Sequence, residues 1–335
     1  MRDDEESFLE PPTLSDPFGR RIEYLRLSVT DRCDLRCSYC MPRGFRDFEE
    51  PANWLAFDEI VRVVGAFARL GLRRVRLTGG EPLLRRHVTV LAGRLKAIPG
   101  IEDLSLSTNG TQLAQHAEAL RRSGVSRLNV SLDSLRPERV AHITGRDVLA
   151  DVLRGLMAAR DGGFTPIKIN MVPLPGVNED EIDAIVEFCL QHGFILRLIE
   201  VMPVGAAGRG SRHLDLRPER ERLARRYGLV EGVIPGGGPA RYLKSPDGAF
   251  SVGFITPISQ HFCESCNRVR LSVDGVLHLC LGNEARVPLR DLLRHGAPDD
   301  DLVQAILGAV RLKPRSHEFS DASKPTIRVM AATGG

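Results

Sequence analysis

The chain has 335 residues, 42% hydrophobic and 27% charged, a balance that favours neither a disordered nor a fibrous protein and is long enough for a large core. Forty-six basic against 43 acidic side chains leave a formal charge of +3, so nothing polyelectrolytic argues for duplex nucleic acid, and any anion site must come from local clustering. No apolar run approaches the ~20 residues that span a bilayer, and Asp3, Asp4, Glu5 and Glu6 stand where a secretory leader would be basic and then apolar. The expected location is the cytoplasm, without membrane or nucleic-acid partners.

Short β-branched runs alternate with segments of helical period through the first two-thirds of the chain, the pattern of repeated βα units and a parallel sheet. Six strands are expected at 24–29, 74–78, 103–108, 127–132, 167–172 and 195–201, with helices between them at 57–70, 88–97, 112–123, 148–161 and 178–192. Polar and glycine residues gather where strands end, as in Thr78-Gly79-Gly80-Glu81-Pro82 and Ser107-Thr108-Asn109-Gly110, and the carboxyl end of a parallel βα barrel is where sites are built. After Met202 the regularity ends. Segments 205–210 and 235–239 read as loops, strands follow at 241–244 and 249–256, and Asp274-Gly275 turns a hairpin over 268–281. A helix is expected at 299–312.

The seven cysteines fall as Cys33, Cys37 and Cys40, then Cys189, then Cys263, Cys266 and Cys280. An odd number in tight triplets fits metal binding better than disulfides. Three thiolates in C-x3-C-x2-C suit three irons of a four-iron cluster and leave the fourth open; the competing reading is a structural zinc site, which wants four ligands and finds no histidine nearby. Cys189 shares a helical face with Ile182, Ile185 and Val186 and reads as a buried apolar residue. His116, His142 and His192 have no metal-ligand neighbours in sequence and read as surface or satisfied residues.

Cys33-Asp34-Leu35-Arg36-Cys37-Ser38-Tyr39-Cys40 after a first strand, with Gly79-Gly80-Glu81-Pro82 after the second, resembles the signature of the radical S-adenosylmethionine superfamily. That resemblance implies a cluster whose open iron holds the amino and carboxylate groups of S-adenosylmethionine. Tyr39, Gly80, Glu81, Ser131 and Met202 are the implied contacts to it.

Cys263-x2-Cys266-x13-Cys280 repeats the three-thiolate arrangement, and by itself leaves open a zinc site completed by His261 or His278. Arg268 and Arg270 share one face of the following strand by its two-residue period, and guanidinium forks suit phosphate. Arg26, Arg76 and Lys168 also fall on expected barrel strands, where cations need a reason to be. Together with Tyr24-Leu25-Arg26-Leu27-Ser28-Val29-Thr30-Asp31-Arg32-Cys33 and the Gly334-Gly335 pair, these features narrow the resemblance to twin-cluster lyases that rearrange GTP at the start of molybdenum cofactor biosynthesis.

The narrower resemblance implies two 4Fe-4S clusters and an incomplete (βα)6 TIM-like barrel, with a C-terminal α+β extension carrying the second cluster. The expected organisation is a flexible N-terminal segment 1–17, a partial barrel 18–202, the extension 203–324 and a flexible tail 325–335. It implies GTP contacts at Arg26, Arg76, Ser107, Lys168, Arg268, Val269 and Arg270. It also implies that a 5'-deoxyadenosyl radical takes the ribose C3' hydrogen, with Arg268, Arg270, Gly334 and Gly335 at the reacting centre; Arg197, on the sixth expected strand, is added to them as a triphosphate or active-site arginine. Ser107 and Asp34 depart from the threonine and asparagine more usual there. Implied partners are an electron donor and a downstream cyclic pyranopterin monophosphate synthase, with the chain a monomer or homodimer. Competing readings are a peptide-modifying twin-cluster maturase and a non-enzymatic zinc protein touching nucleic acid.

Overall fold

The structure is a computed structural model that describes residues 13–42, 44–234, 236–321 and 323–334. All six expected strands form: β1 (Tyr24–Ser28), β2 (Arg74–Thr78), β3 (Asp103–Thr108), β4 (Arg127–Ser131), β5 (Ile167–Met171) and β6 (Ile195–Ile199). They pair in parallel in chain order. Leu25, Leu27, Val75, Leu77, Leu104 and Leu106 on their outer face are fully buried, each worth about 1.5–3 kcal/mol when taken from water. The alternate residues Arg26, Arg76, Ser105, Asn129, Lys168 and Arg197 face the other way, so the inside of the arc is polar where most barrels are packed with aliphatics.

The expected crossover helices form at Phe57–Arg69 (α1), Val88–Lys96 (α2), Leu113–Arg122 (α3), Leu149–Asp161 (α5) and Ile182–His192 (α6). In α1, Ile60, Val63, Val64 and Phe67 make one buried stripe, and the Glu59 carboxylate accepts the Ala56 N–H at 2.6 Å to close its first turn. Between β4 and α5 lies an unanticipated two-turn helix, Pro137–Thr144 (α4), which starts on proline and ends on left-handed Gly145. Cys189 is fully buried in α6, as its helical face implies.

Two expectations about the second half are corrected. Segment 205–210 is a short helix, α7 (Gly205–Gly210), whose Gly208 N–H bonds to the Val204 carbonyl. A twelve-residue helix, α8 (Leu216–Tyr227), follows where regularity was thought to end. Only Leu216 and Leu223 of α8 are buried, too few to print an apolar period on a segment otherwise full of arginine and glutamate.

The extension continues the sheet at both edges. It contributes β7 (Val230–Gly232), β8 (Arg241–Lys244), β9 (Ser251–Ile255), β10 (Arg268–Leu271), β11 (Val276–His278) and β12 (Arg286–Pro288). β9 adds in parallel to β6, and β10 adds in parallel to β1 with Arg26 opposite Arg270. Twelve strands thus run in the order β12-β11-β10-β1-β2-β3-β4-β5-β6-β9-β8-β7. The barrel stays incomplete because β9 and β10 do not pair among the described residues, and the connection between them, 256–267, crosses from one edge of the arc to the other carrying Cys263 and Cys266. Helices α9 (Arg290–Arg294), α10 (Asp299–Arg311) and α11 (Met330–Thr333) complete the chain.

Several residues of the tail make contacts with the rest of the fold. Val204 bridges to Thr326, Arg209 donates to the Thr326 carbonyl at 2.6 Å, and Met330, Ala331 and Thr333 are buried.

Candidate active site

The loop after β1 carries the first triad. Gly80 N–H donates to the Thr30 carbonyl and Glu81 N–H to the Arg32 carbonyl, both at 2.8 Å, so the turn after β2 lies directly on this loop. A Cβ on Gly80 would stand 2.2 Å from the Arg32 carbonyl oxygen, and one on Gly79, itself at φ +146°, 2.1 Å from that of Thr30. The glycines therefore serve loop-on-loop packing as well as the cavity they border.

That cavity is lined by Cys33, Cys37, Tyr39, Cys40, Gly79, Gly80, Asn109, Ser131, Asp133 and Met202, with Met330 and Ala331 of α11 closing it. Four of the residues implied for S-adenosylmethionine, namely Tyr39, Gly80, Ser131 and Met202, thus share one wall. The Glu81 side chain does not border this cavity. It is fully buried behind the wall, and its carboxylate accepts from Leu83 N–H at 3.0 Å, Thr108 Oγ1 at 2.8 Å and Asn109 N–H at 2.6 Å.

Asp133 was not anticipated. Its carboxylate accepts from the Tyr39 hydroxyl at 2.7 Å and from Val172 N–H at 2.8 Å, tying the residue before Cys40 to the ends of β4 and β5. Burial pushes its acid up to about 6 against the pull of those two bonds. The partners lie 94 residues apart, so no local motif could reveal them. Asp34 is held by Asn109 Nδ2 at 2.7 Å and Thr111 Oγ1 at 2.8 Å.

The thiols of the first triad are free. Burial, with Glu81 and Asp34 adding for Cys33, pushes Cys33 up to about 11 and, with Cys33 and Asp133 adding, Cys40 to about 12. Without a metal they hold their protons at neutral pH, and ligation must release them.

A second cavity adjoins the first, sharing Ser107, Asn170, Ile199 and Met202 with it. Arg26, Arg76, Arg197, Arg268, Arg270 and all three cysteines of the second triad line it. Neither His261 nor His278 does; the histidine that lines it is His317, whose Nε2 meets the Pro257 carbonyl at 2.8 Å. Among the described residues no three Cys, His, Asp or Glu side chains are placed to hold a single metal ion. Burial opposes ionisation of Cys266, but the charges of Arg268, Lys313 and Arg270 outweigh it and hold this thiol down at about 6.

The cations meet neutral partners. Arg76 Nε donates to Ser105 Oγ at 3.2 Å and its guanidinium lies 5.3 Å from the Tyr24 ring centroid. Arg197 donates to Asn129 Oδ1 at 2.5 Å and Asn170 Oδ1 at 2.6 Å. Lys168, set just behind the cavity wall, donates to the Tyr242 hydroxyl at 3.1 Å, and burial with Arg197, Arg127 and Arg76 nearby pulls its ammonium down to about 7. By the strand alternation the Val269 side chain enters the outer core, fully buried, away from Arg268 and Arg270, which leaves its backbone to make any contact with GTP.

Gly334 reaches Thr78 at the edge of the first cavity, with φ +73° and no room for a side chain, since a Cβ would fall 2.3 Å from Thr78 Cγ2. Gly335 lies outside the described residues.

An open parallel arc with three free thiols after its first strand, facing a polar interior, defines a radical S-adenosylmethionine enzyme. Residues 27–189 match the model of the Radical SAM superfamily, and residues 194–319 that of Molybdenum Cofactor Synthesis C. The Streptococcus suis SuiB structure bound to S-adenosylmethionine superposes with a TM-score of 0.61 at 16% identity, covering 88% of this chain and 69% of that one, a likeness of fold. GTP 3',8-cyclase of Ectopseudomonas mendocina is 46% identical over 96% of this chain and 98% of its own length. That of Bradyrhizobium diazoefficiens is 45% identical over 96% of each. The chain belongs to the GTP 3',8-cyclase family, a family of radical S-adenosylmethionine lyases. A 4Fe-4S cluster and S-adenosylmethionine come with that membership, and three unpaired thiols around one cavity suit the cluster.

Proposed function

We propose that this chain converts GTP to (8S)-3',8-cyclo-7,8-dihydroguanosine 5'-triphosphate, the first step of molybdenum cofactor biosynthesis, and that Cys263, Cys266 and Cys280 hold a second 4Fe-4S cluster beside the purine. The observation that carries this reading is the cation set between the two triads. Among the described residues, Arg76, Arg197, Arg268 and Arg270 line one cavity with Lys168 just behind its wall, all buried or half-buried and with no carboxylate in salt-bridge reach. Buried charge without a counter-ion costs several kcal/mol per ion, and a triphosphate supplies it.

Cys33, Cys37 and Cys40 would hold the first cluster. When bound, it and S-adenosylmethionine supply one-electron cleavage to a 5'-deoxyadenosyl radical able to take the C3' hydrogen of the ribose. The protein's share is positioning. Tyr39, fixed by Asp133, and Ser131 with Met202 would seat S-adenosylmethionine. Arg197, braced by Asn129 and Asn170, lines the second cavity and would reach the nucleotide from there. Arg26, Arg76, Lys168, Arg268 and Arg270 would hold the phosphates and base, and Ser107, bordering both cavities, would meet the sugar. Gly334, seated on Thr78, would close the space and keep water out.

A one-electron donor and the downstream cyclic pyranopterin monophosphate synthase complete the expected setting in the cytoplasm. Among the described residues no helix is long and apolar enough to cross a membrane.

Anaerobic incubation of the reconstituted protein with GTP, S-adenosylmethionine and reductant tests this. The cyclised nucleotide and 5'-deoxyadenosine should appear together and depend on GTP. Cleavage of S-adenosylmethionine driven by a peptide, with GTP inert, would instead favour a maturase.

A further inference from the structure

Lys313 follows α10 and is buried to 3% exposure. Its ammonium donates to the Leu279 carbonyl at 2.5 Å and to the Arg268 carbonyl at 3.0 Å, and to no carboxylate among the described residues. Two other cations grip carbonyls of the same region, but each has an acidic partner. Arg20 donates to the Cys263 carbonyl at 2.8 Å and pairs with Asp16. Arg328 donates to the Cys280 carbonyl at 2.8 Å and pairs with Glu284 at 3.0 Å. Lys313 is the exception. Carbonyl dipoles satisfy its N–H groups without cancelling its charge, and the cations Arg20 and Arg270 lie close enough to oppose it. Burial pulls the Lys313 ammonium down from its ordinary range, and the neighbouring sulfurs of Cys266 and Cys280 oppose that pull.

A buried ammonium either gives up its proton or keeps its charge beside a balancing negative group. The two carbonyls it joins belong to the two strands that bring Cys266 and Cys280 together: Arg268 opens β10, two residues after Cys266, and Leu279 follows β11, one residue before Cys280. The cation therefore sits at the base of the cysteine hairpin, on the side where thiolate charge would accumulate.

We propose that Lys313 is the buried counter-cation of the second triad, a positioning residue that clamps the two strands and whose charge raises the reduction potential of the centre they hold. The inference rests on the reading that a second cluster forms there. Cluster potentials follow net charge and the hydrogen bonding around the sulfurs. Reduction adds negative charge, so a fixed positive charge favours the reduced state, and removing it moves the midpoint to more negative values.

The test is an anaerobic redox titration, followed by electron paramagnetic resonance, of the reconstituted full-length protein and its Lys313→Met and Lys313→Arg variants, with iron counted in each. In Lys313→Met the reduction equilibrium of the second centre should become about tenfold less favourable, about 59 mV for one electron, while the first centre is unmoved. Lys313→Arg should stay near the parent. If Lys313→Met instead loses the second centre alone and Lys313→Arg keeps it, the charge is required for assembly and the proposal also stands. An unmoved midpoint in a fully loaded Lys313→Met overturns it, as does loss of the second centre in both variants. Failure of the parent protein to take up a second cluster would remove the cluster reading and overturn the proposal with it, and the iron count of the parent separates that result from a failure of the lysine's role alone.

Discussion

Lys168 gives the sharpest pH dependence. It lies on β5 with Nζ against the Tyr242 hydroxyl, and burial together with Arg197, Arg127 and Arg76 lowers its ammonium from 10.5 to about 7. Its charged form dominates below that value and fades above it. A bound triphosphate brings negative charge and restores the ordinary preference for the proton, so GTP should bind the charged form and take up a proton as pH rises. Between pH 7.5 and 8.5 the charged fraction of the free protein falls from about 0.24 to about 0.03, and GTP affinity should weaken about eightfold. That window lies above the last phosphate ionisation, near 6 in phosphate monoesters, so the slope belongs to the protein. Anaerobic titration calorimetry in two buffers of different ionisation enthalpy reads both the affinity and the proton uptake, which should approach one proton per GTP at the upper end. Lys168→Arg, permanently charged, should abolish the slope. A flat affinity in the parent protein with no proton uptake would refute the placement of Lys168 against the triphosphate.

Other expectations follow from single contacts. Glu81→Ala removes an acceptor of three hydrogen bonds and should cost about 3 kcal/mol of stability, seen as a lowered Tm; an unchanged Tm with weakened S-adenosylmethionine binding would return Glu81 to the ligand surface. Asp133→Ala frees the Tyr39 hydroxyl and should weaken S-adenosylmethionine binding about tenfold, measurable by equilibrium binding, whereas unaltered affinity would make the Tyr39–Asp133 bond incidental. Gly334→Ala strains a left-handed backbone and drives a methyl group into Thr78, so cyclisation should fall at least about tenfold while 5'-deoxyadenosine formation and Tm hold; full cyclisation would remove Gly334 from the site. Serine at Cys263, Cys266 and Cys280 should end cyclisation and leave some reductive cleavage, while serine at Cys33, Cys37 and Cys40 should end both. Cleavage surviving loss of the first triad would reassign the origin of the radical.

The arc of six strands was legible because each carries aliphatic residues at every second position, and both triads were legible because their cysteines are close in sequence. The same alternation places Val269 in the core, since it lies between Arg268 and Arg270, even though family likeness had grouped it with them. Glu81 was read as a ligand contact because it sits in a signature motif; its fully buried carboxylate also ties the segment after β2 to the end of β3. Long-range pairings left no local trace. Nothing near Ser251 or Arg268 announces that β9 will join β6 and β10 will join β1, because parallel pairing has no turn to mark it. Asp133 with Tyr39, and Lys313 with the carbonyls of 268 and 279, are hidden for the same reason. Helix α8 was missed because its charged faces outnumber its two buried leucines.

The central claim is that the first triad generates a radical that acts on a GTP held by the cations of the second cavity. GTP carrying deuterium at C3' tests it directly, by the mass of the 5'-deoxyadenosine formed in a single anaerobic turnover. The account predicts 5'-deoxyadenosine heavier by one mass unit, in step with the cyclised nucleotide. Unlabelled 5'-deoxyadenosine beside a cyclised nucleotide that keeps its deuterium would contradict it.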